Sequence, residues 1–347
     1  MEYPKFKVCC RCFTFNQAKY ITDAMNGFTM QQTSFPFVCC IVDDASTDGE
    51  QDVIRKYVEE NFDFSEGSVA YHKETDYAHI AYAQHKTNKN CYFAVLYLKE
   101  NHYSQRKPKM GYLSEWRDMC EYEAICEGDD YWIVPDKLEK QYTVMENNQS
   151  ISLCHSGFSF LYSETGNFLD YVQKDVSGSL IEAILDSNRY RIQTCTVFFR
   201  RVDYINVISS DDFLYKSGYF LMGDTQVWVG LLNVGIIYYD NTISSVYRIA
   251  KGSACRKKDN RSKYRFDLSC NEMRMYISQK TETSKEFRIK LRKNYDRSLL
   301  LYSIYDTSFK SLFDVSNVTK MCLYFVKLPV INGIMRRMIN VYEKNRK

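Results

Sequence analysis

The sequence predicts an α/β protein in which a mainly parallel central sheet is flanked by helices, with a helical extension at the C-terminal end. Three observations carry this. The first sixty residues alternate strand, helix, strand, helix, an order that places helices over a parallel sheet. Phe37-Val38-Cys39-Cys40-Ile41-Val42 is a continuous apolar run, as a strand buried on both faces requires. From about residue 256 the composition turns basic and helical, ending in Lys344-Asn345-Arg346-Lys347.

Each element follows from its pattern. Val8-Cys9-Cys10 reads as a buried first strand, with Arg11 an oddity near its end that Asp43 or Asp44 would compensate. Asn16 precedes a helix whose Ile21, Ala24, Met25 and Phe28 share one face. The second strand ends abruptly in Asp43-Asp44-Ala45-Ser46-Thr47-Asp48-Gly49. Asp48 with Gln51 then resembles a capping box, opening a helix that buries Val53, Ile54, Tyr57 and Val58. Cys91 to Leu98 reads as a strand and Gln105-Arg106-Lys107-Pro108-Lys109 as a basic loop, either a solvated connection or a phosphate contact. A helix around Leu113 to Cys120 leads into the strand before Glu127. Pro135 sits at a helix start, where its missing N–H is harmless, and Leu138, Gln141, Tyr142 and Met145 face one way. Thr194 to Phe199 reads as a strand. Gly223-Asp224-Thr225 opens a helix with Trp228, Leu231 and Leu232 on one face. Two strands follow, 236–239 and 243–249.

Composition bounds the function. The 347 residues suffice for one large α/β domain with an appendage, or for two domains. A net charge of +3 is too weak to imply nucleic acid. The 13 cysteines are odd in number, and many lie in apolar runs. Cys9-Cys10-Arg11-Cys12 matches C-x-x-C, but no second pair at zinc-site spacing follows. Buried reduced thiols in a cytoplasmic protein are therefore expected. The N-terminus has no signal-peptide core. The most apolar stretch, Met321 to Met338, is interrupted by Lys327, Pro329, Arg336 and Arg337, so no bilayer span is expected.

Ala124-Ile125-Cys126-Glu127-Gly128-Asp129-Asp130-Tyr131-Trp132 is the most informative segment. Three carboxylates fall within four residues at the end of an apolar run. Close carboxylates repel unless a cation sits among them, and hard ions such as Mg2+ or Mn2+ take such oxygens together with substrate phosphates. Taken alone, the segment reads equally as a solvated acidic turn before a helix. In α/β sheets ligands bind beyond the carboxyl ends of the strands, where Thr14, Asn16, Asp43 and Asp44 fall.

Together these segments resemble family 2 glycosyltransferases of the GT-A fold. Thr14-Phe15-Asn16-Gln17-Ala18-Lys19-Tyr20-Ile21 is similar to their first strand–helix junction, and Val42-Asp43-Asp44-Ala45-Ser46-Thr47-Asp48-Gly49 to their second-strand motif. Cys126-Glu127-Gly128-Asp129-Asp130-Tyr131-Trp132, with Pro135-Asp136-Lys137-Leu138-Glu139-Lys140-Gln141 behind it, resembles their D-x-D variant. Gly223-Asp224-Thr225-Gln226-Val227-Trp228 sits where the family keeps its catalytic carboxylate. Val246-Tyr247-Arg248 through Gly252-Ser253 resembles the segment closing the site. Order and spacing agree over roughly residues 5–255. Phe13 stands where the family commonly has Pro, and Glu127 replaces the usual first Asp.

The resemblance implies a GT-A domain over 1–255, with a nucleotide-sugar half at 1–132 and an acceptor half at 133–255, followed by a helical extension at 256–347. It implies an inverting transferase taking a nucleotide-sugar, a UDP-sugar by expectation, and a glycan or lipid-linked acceptor of envelope polysaccharide synthesis. Asp44 would accept a hydrogen bond from the nucleobase in a pocket lined by Thr14 and Asn16. Asp129 would lie near the ribose, Arg248 would hold a phosphate oxygen or pair with an acid, and Asp130 would ligate Mn2+ or Mg2+ with Glu127 helping. Asp224 would be the general base. Two other classes compete: a non-catalytic nucleotide or carbohydrate module on the same fold, and a nucleotidyltransferase. The latter needs a Gly-rich phosphate loop near the N-terminus, and residues 8–20 contain no Gly. In the extension, Ile331, Ile334, Met335 and Met338 follow helical spacing beside Arg336 and Arg337. Such a helix lies peripherally on an anionic membrane, or packs on the catalytic domain or a second copy; both readings stay open.

Overall fold

A computed structural model describes residues 3–186, 189–250, 259–306 and 326–344. The strands are β1 (Val8–Thr14), β2 (Phe37–Asp43), β3 (Tyr71–Glu74), β4 (Ala78–Gln84), β5 (Cys91–Leu98), β6 (Tyr122–Ile125), β7 (Tyr131–Trp132), β8 (Ile151–Tyr162), β9 (Asn167–Tyr171), β10 (Phe198–Arg200) and β11 (Ile236–Ile249). The helices are α1 (Ile21–Thr29), α2 (Glu50–Asn61), α3 (Ser114–Arg117), α4 (Lys137–Asn147), α5 (Leu180–Leu185), α6 (Arg201–Ser210), α7 (Asp212–Tyr215), α8 (Thr225–Val234), α9 (Asn260–Lys280), α10 (Lys285–Tyr305) and α11 (Pro329–Lys344). The chain forms two compact units.

The first unit comprises 1–176, 187–210 and 227–250. Its sheet runs β3-β4-β5-β2-β1-β6-β10-β8-β11-β7, with β9 paired to β8. The centre, β5-β2-β1-β6, is parallel; β11 is also parallel to β8, and the other pairs are antiparallel. Apolar side chains cover both faces of the centre. Val8, Cys10, Cys39, Ile41, Phe93 and Val95 pack with Ile21, Met25, Phe28, Ile54 and Val58 on one face. Cys9, Val38, Cys40, Val42, Leu96, Leu113 and Trp116 pack on the other. This is why β2 has no polar residue before Asp43. Eleven cysteines of the described residues are buried, as small apolar residues are.

Several local expectations are corrected. The capping box does not form: the N-cap of α2 is Gly49 at φ 89°, and Gln51 reaches Asp43 instead. Thr194–Thr196 is a 3-10 turn, leaving β10 only three residues. The reason is that side chains take its carbonyls: Trp132 Nε1 and Ser245 Oγ donate to Cys195 O, and Gln141 Nε2 donates to Thr196 O. The two strands expected at 236–249 are one, bent by register shifts near Asp240 and Ile243. Arg11 finds its acid on β6, with Nη1 3.7 Å from Glu123 Oε2, not at Asp43 or Asp44. Arg117 joins the same carboxylate at 2.6 Å.

The second unit comprises 177–186, 211–226 and 251–347. Two excursions from earlier in the chain pack on α9 and α10 within it. Asp211 pairs with Lys280 at 2.5 Å and Tyr276 at 2.9 Å, Leu221 N donates to Ser269 Oγ, and Glu182 accepts from Ser284 N. Gly252, Ser253, Met321 and the terminal Asn345-Arg346-Lys347 lie outside the described residues. Among the described residues no helix is long and apolar enough to cross a membrane.

Candidate active site

The C-terminal ends of β1, β2 and β6 meet at one edge of the first unit. β1 ends at Thr14, whose hydroxyl donates to Glu50 Oε1. Glu50 is a buried hub at the start of α2. Its Oε2 also accepts from Gln17 N and Ser46 Oγ, both at 2.8 Å, while burial raises its pKa. Asn16 adopts φ +55° and accepts from Thr47 N at 2.8 Å, its own N–H going to Ser46 Oγ. Thr14 and Asn16 are thus welded to the loop after β2. The sequence reading missed Glu50. Its signal was an acid in the first turn of a helix that directly follows a strand-end Asp pair.

The two aspartates of that loop face different partners. Asp44 Oδ1 accepts from His102 N at 2.8 Å, and Oδ2 accepts from Tyr103 N at 3.0 Å and from Lys109 Nζ at 2.8 Å. It is fully enclosed and anchors residues 101–109. The basic loop is therefore mostly self-satisfied, with Lys109 on Asp44 and Lys107 on Glu100. Asp43 Oδ1 accepts from Ser46 N and Gln51 Nε2. Its Oδ2 is buried without a hydrogen-bond partner, as is the hydroxyl of Tyr97, which pairs with it in register on β5. Buried polar atoms are seldom left orphaned, and these two are an acceptor and a hydroxyl on residues in register at the strand ends. Phe15, just past β1, is 42% exposed.

The acidic segment lies across the end of β1. Cys126 N donates to Arg11 O and Gly128 N to Phe13 O, continuing the β6 ladder past its last strand residue. Phe13 N returns a bond to Glu127 Oε2 at 3.2 Å. Gly128 allows this approach: a Cβ there would stand 2.1 Å from Thr14 Oγ1. Asp130 N closes a turn to Glu127 O, and Asp130 Oδ1 accepts from Arg248 N at 2.8 Å.

Arg248 is enclosed from all sides. Its Nε donates to Asp129 O at 2.9 Å, its Nη2 pairs with Asp23 at 2.6 Å, and its guanidinium lies over Tyr20 and Tyr131 at 4.3 and 5.4 Å. Of its two expected roles the structure shows the pairing with an acid, and it braces the acidic loop against α1 and β11.

Burial raises all three carboxylates, and neighbouring acids add to it at Glu127 and Asp130. Glu127 is pushed up to about 7, chiefly by burial and then by Asp129, with Arg11 and Lys109 opposing. Burial, opposed by Arg248, raises Asp129. Asp130, 3% exposed, is raised well above the usual range by burial, Asp129 and Glu127. Such clustering of raised carboxylates at strand ends is what a cation relieves. No three His, Cys, Asp or Glu side chains converge as a metal cage among the described residues. The donor chemistry still fits Mg2+ or Mn2+, which bind through one or two carboxylates with phosphate oxygens completing the shell.

The structure thus brings together Thr14, Asn16, Asp44, Glu127, Asp129, Asp130 and Arg248 in one unit. Asp224 belongs to the second unit, immediately before α8, where its Oδ1 accepts from Thr225 N at 2.5 Å and Thr225 Oγ1 at 3.2 Å.

No family model matches the chain. Two curated relatives, the uncharacterized proteins Rv1520 of Mycobacterium tuberculosis and Mb1547 of Mycobacterium bovis, are each 27% identical over 197 residues. The match covers 54% of this chain and 45% of theirs, so the chain spans about half the length of the curated relatives it matches. Among solved structures, TarS of S. aureus, a glycosyltransferase, superposes with a TM-score of 0.53 at 12% identity, covering 94% of this chain and 54% of that one. TarS 1-349 in complex with UDP gives 0.49 at 14% identity, covering 93% and 81%. The mannosyltransferase PcManGT of Pyrobaculum calidifontis, in complex with GDP-Man and Mn2+, gives 0.47 at 10%, covering 96% and 87%. The fold of this chain is that of the GT-A-type glycosyltransferases, with a C-terminal helical extension.

Proposed function

We propose that this chain is a metal-dependent inverting glycosyltransferase, moving a sugar from a UDP-sugar to a hydroxyl of a glycan or glycolipid acceptor in envelope polysaccharide synthesis. One observation carries the reading: three raised carboxylates, Glu127, Asp129 and Asp130, are held across the end of β1, whose Thr14 pairs in register with Asp43, the bearer of an orphaned oxygen. That edge is where an α/β sheet takes its ligand.

Each residue then has a task. A base with an imide N–H flanked by carbonyls matches the unpartnered Asp43 Oδ2 and Tyr97 hydroxyl, with Phe15 offering a stacking face. Asp44, to which the resemblance gives that base, meets it only when residues 101–109 open and Lys109 is displaced. Asp129 faces the ribose, and Asp130 with Glu127 would hold Mn2+ or Mg2+. A bound divalent ion neutralises charge building on the departing nucleoside diphosphate. Arg248 keeps that loop in place. Asp224 takes the proton of the acceptor hydroxyl as its oxygen attacks the anomeric carbon. One carboxylate suffices for a single displacement, unlike the paired carboxylates of retaining hydrolysis.

Replacing Asp224 by Asn tests this. Transfer to acceptor should fall by about a thousandfold, the scale of a lost general base, while donor affinity by calorimetry stays unchanged. Full activity in that variant removes Asp224 from the mechanism. The competing reading is a non-catalytic nucleotide-binding module on the same fold. That reading expects nucleotide binding with no sugar transfer from any donor, in the wild type as in the variant.

A further inference from the structure

We propose that α11 is a membrane-surface helix that docks the second unit on an anionic bilayer. The inference does not rest on the transferase reading. Two side chains one turn apart hold the inner face of α11. Asn332 Nδ2 donates to Ile304 O at 2.8 Å, and Arg336 donates to the same carbonyl through Nε and Nη2 while lying over Tyr305. The opposite face carries Val330, Ile334, Met338 and Val341, spaced four, four and three residues apart and 75, 54, 63 and 59% exposed. Isolated exposed aliphatics need no explanation, but a contiguous stripe along a helix marks an interaction surface.

Charge selects the occupant. Arg337 is exposed and falls on the same face as the stripe by helical geometry. From residue 326 onward the sequence holds six Lys or Arg against the single acid Glu343. A protein partner would be expected to answer a stripe of this kind with acids of its own at discrete positions. An anionic lipid surface answers it anywhere along its length, and interfacial helices have this pattern of apolar stripe and basic flank.

A second observation lies beside the stripe. A cavity of about 920 Å³ opens between α9, α10 and α11, lined among others by Met222, Arg274, Arg297, Leu301, Met335 and Met338. Met338 belongs to both the stripe and the cavity wall. Arg274 Nε is buried there without a hydrogen-bond partner. Two arginines in one cavity with methionine and leucine side chains, beside Lys263 and Asp267, suit a phosphate with an acyl chain attached.

Sedimentation with vesicles tests the proposal on the full chain. Phosphatidylcholine vesicles are compared with vesicles in which a third of the lipid is phosphatidylglycerol. The chain should pellet with the anionic vesicles and not with the neutral ones, and added salt should release it. Ile334→Asp with Met338→Asp should weaken that partitioning about tenfold or more, given the cost of a carboxylate at an anionic interface. Arg337→Glu, an exposed change that leaves the packed face intact, should weaken it several-fold. Unaltered helical circular dichroism confirms that each variant is folded. Arg274→Gln with Arg297→Gln should reduce the preference for anionic over neutral vesicles. Several results would overturn the proposal: no partitioning, equal partitioning onto neutral vesicles, retention by the stripe variant, or a dimer that the stripe variant dissolves. The last would make a second copy the occupant.

Discussion

At the residue scale, the site depends on single atoms. Gly128 is required because Thr14 Oγ1 and Cβ occupy the space where a side chain would begin, 2.1 and 2.6 Å from an ideal Cβ. Gly128→Ala should cost about 1–3 kcal/mol, as overpacking does, and abolish cation-dependent nucleotide binding, read by urea unfolding and calorimetry. A variant as stable as wild type would show that the loop approaches β1 less closely than described. Glu127 sets a pH dependence. Its pKa rises from 4.5 to about 7 in the folded chain, so the folded state keeps a proton that the unfolded state has lost. Stability without a cation should therefore decline between those values, by roughly 3 kcal/mol at most, and level off above. Added Mn2+ with nucleotide should stabilise more at about pH 8 than at about pH 5, because the cation competes with the proton. Thermal melts across that range check the sign. A gain that is equal at both ends would free Glu127 from the cation site.

At the scale of elements, the strand ends divide their work. Asp44 holds residues 101–109 through two backbone N–H groups and Lys109. Asp44→Asn leaves the Lys109 ammonium without its carboxylate and should cost about 2–4 kcal/mol. Asp43→Asn removes the oxygen without a partner, so it should spare stability and weaken nucleotide binding about tenfold or more. The opposite assignment of the two effects would return the base to Asp44. Periodicity revealed β1, α1, β2, α2 and β5, because strands buried on both faces and one-sided helices print their packing on the sequence. The 3-10 turn at Thr194–Thr196 was not legible. It exists because Trp132, Ser245 and Gln141, distant in sequence, take its carbonyls. The β3–β4 hairpin and β8 were missed for a related reason: polar and apolar residues mix there without a marked period. Arg11 shows the same limit. An Arg in a strand announces a buried acid, but only the β1–β6 pairing says that the acid is Glu123.

At the scale of the whole molecule, a glycosyltransferase fold and a carboxylate loop at its strand ends define the first unit. The second unit holds Asp224 and the helical extension. The motif order made the fold and the acidic loop readable in advance. The makeup of the second unit was not, since 177–186 and 211–226 join it only through tertiary contacts such as Asp211 with Lys280. The chain matches its curated relatives over about half their length, so acceptor choice belongs to the proposal.

A cation-assisted nucleotide site at Glu127–Asp130 can be read by thermal shift with UDP-, GDP-, CDP- and dTDP-sugars, each with and without Mn2+. UDP-sugars should raise the midpoint by about 5 °C or more when in large excess over their dissociation constant. The rise should need the cation and vanish in Asp130→Asn. Stabilisation that ignores Mn2+, or survives in Asp130→Asn, would contradict the account.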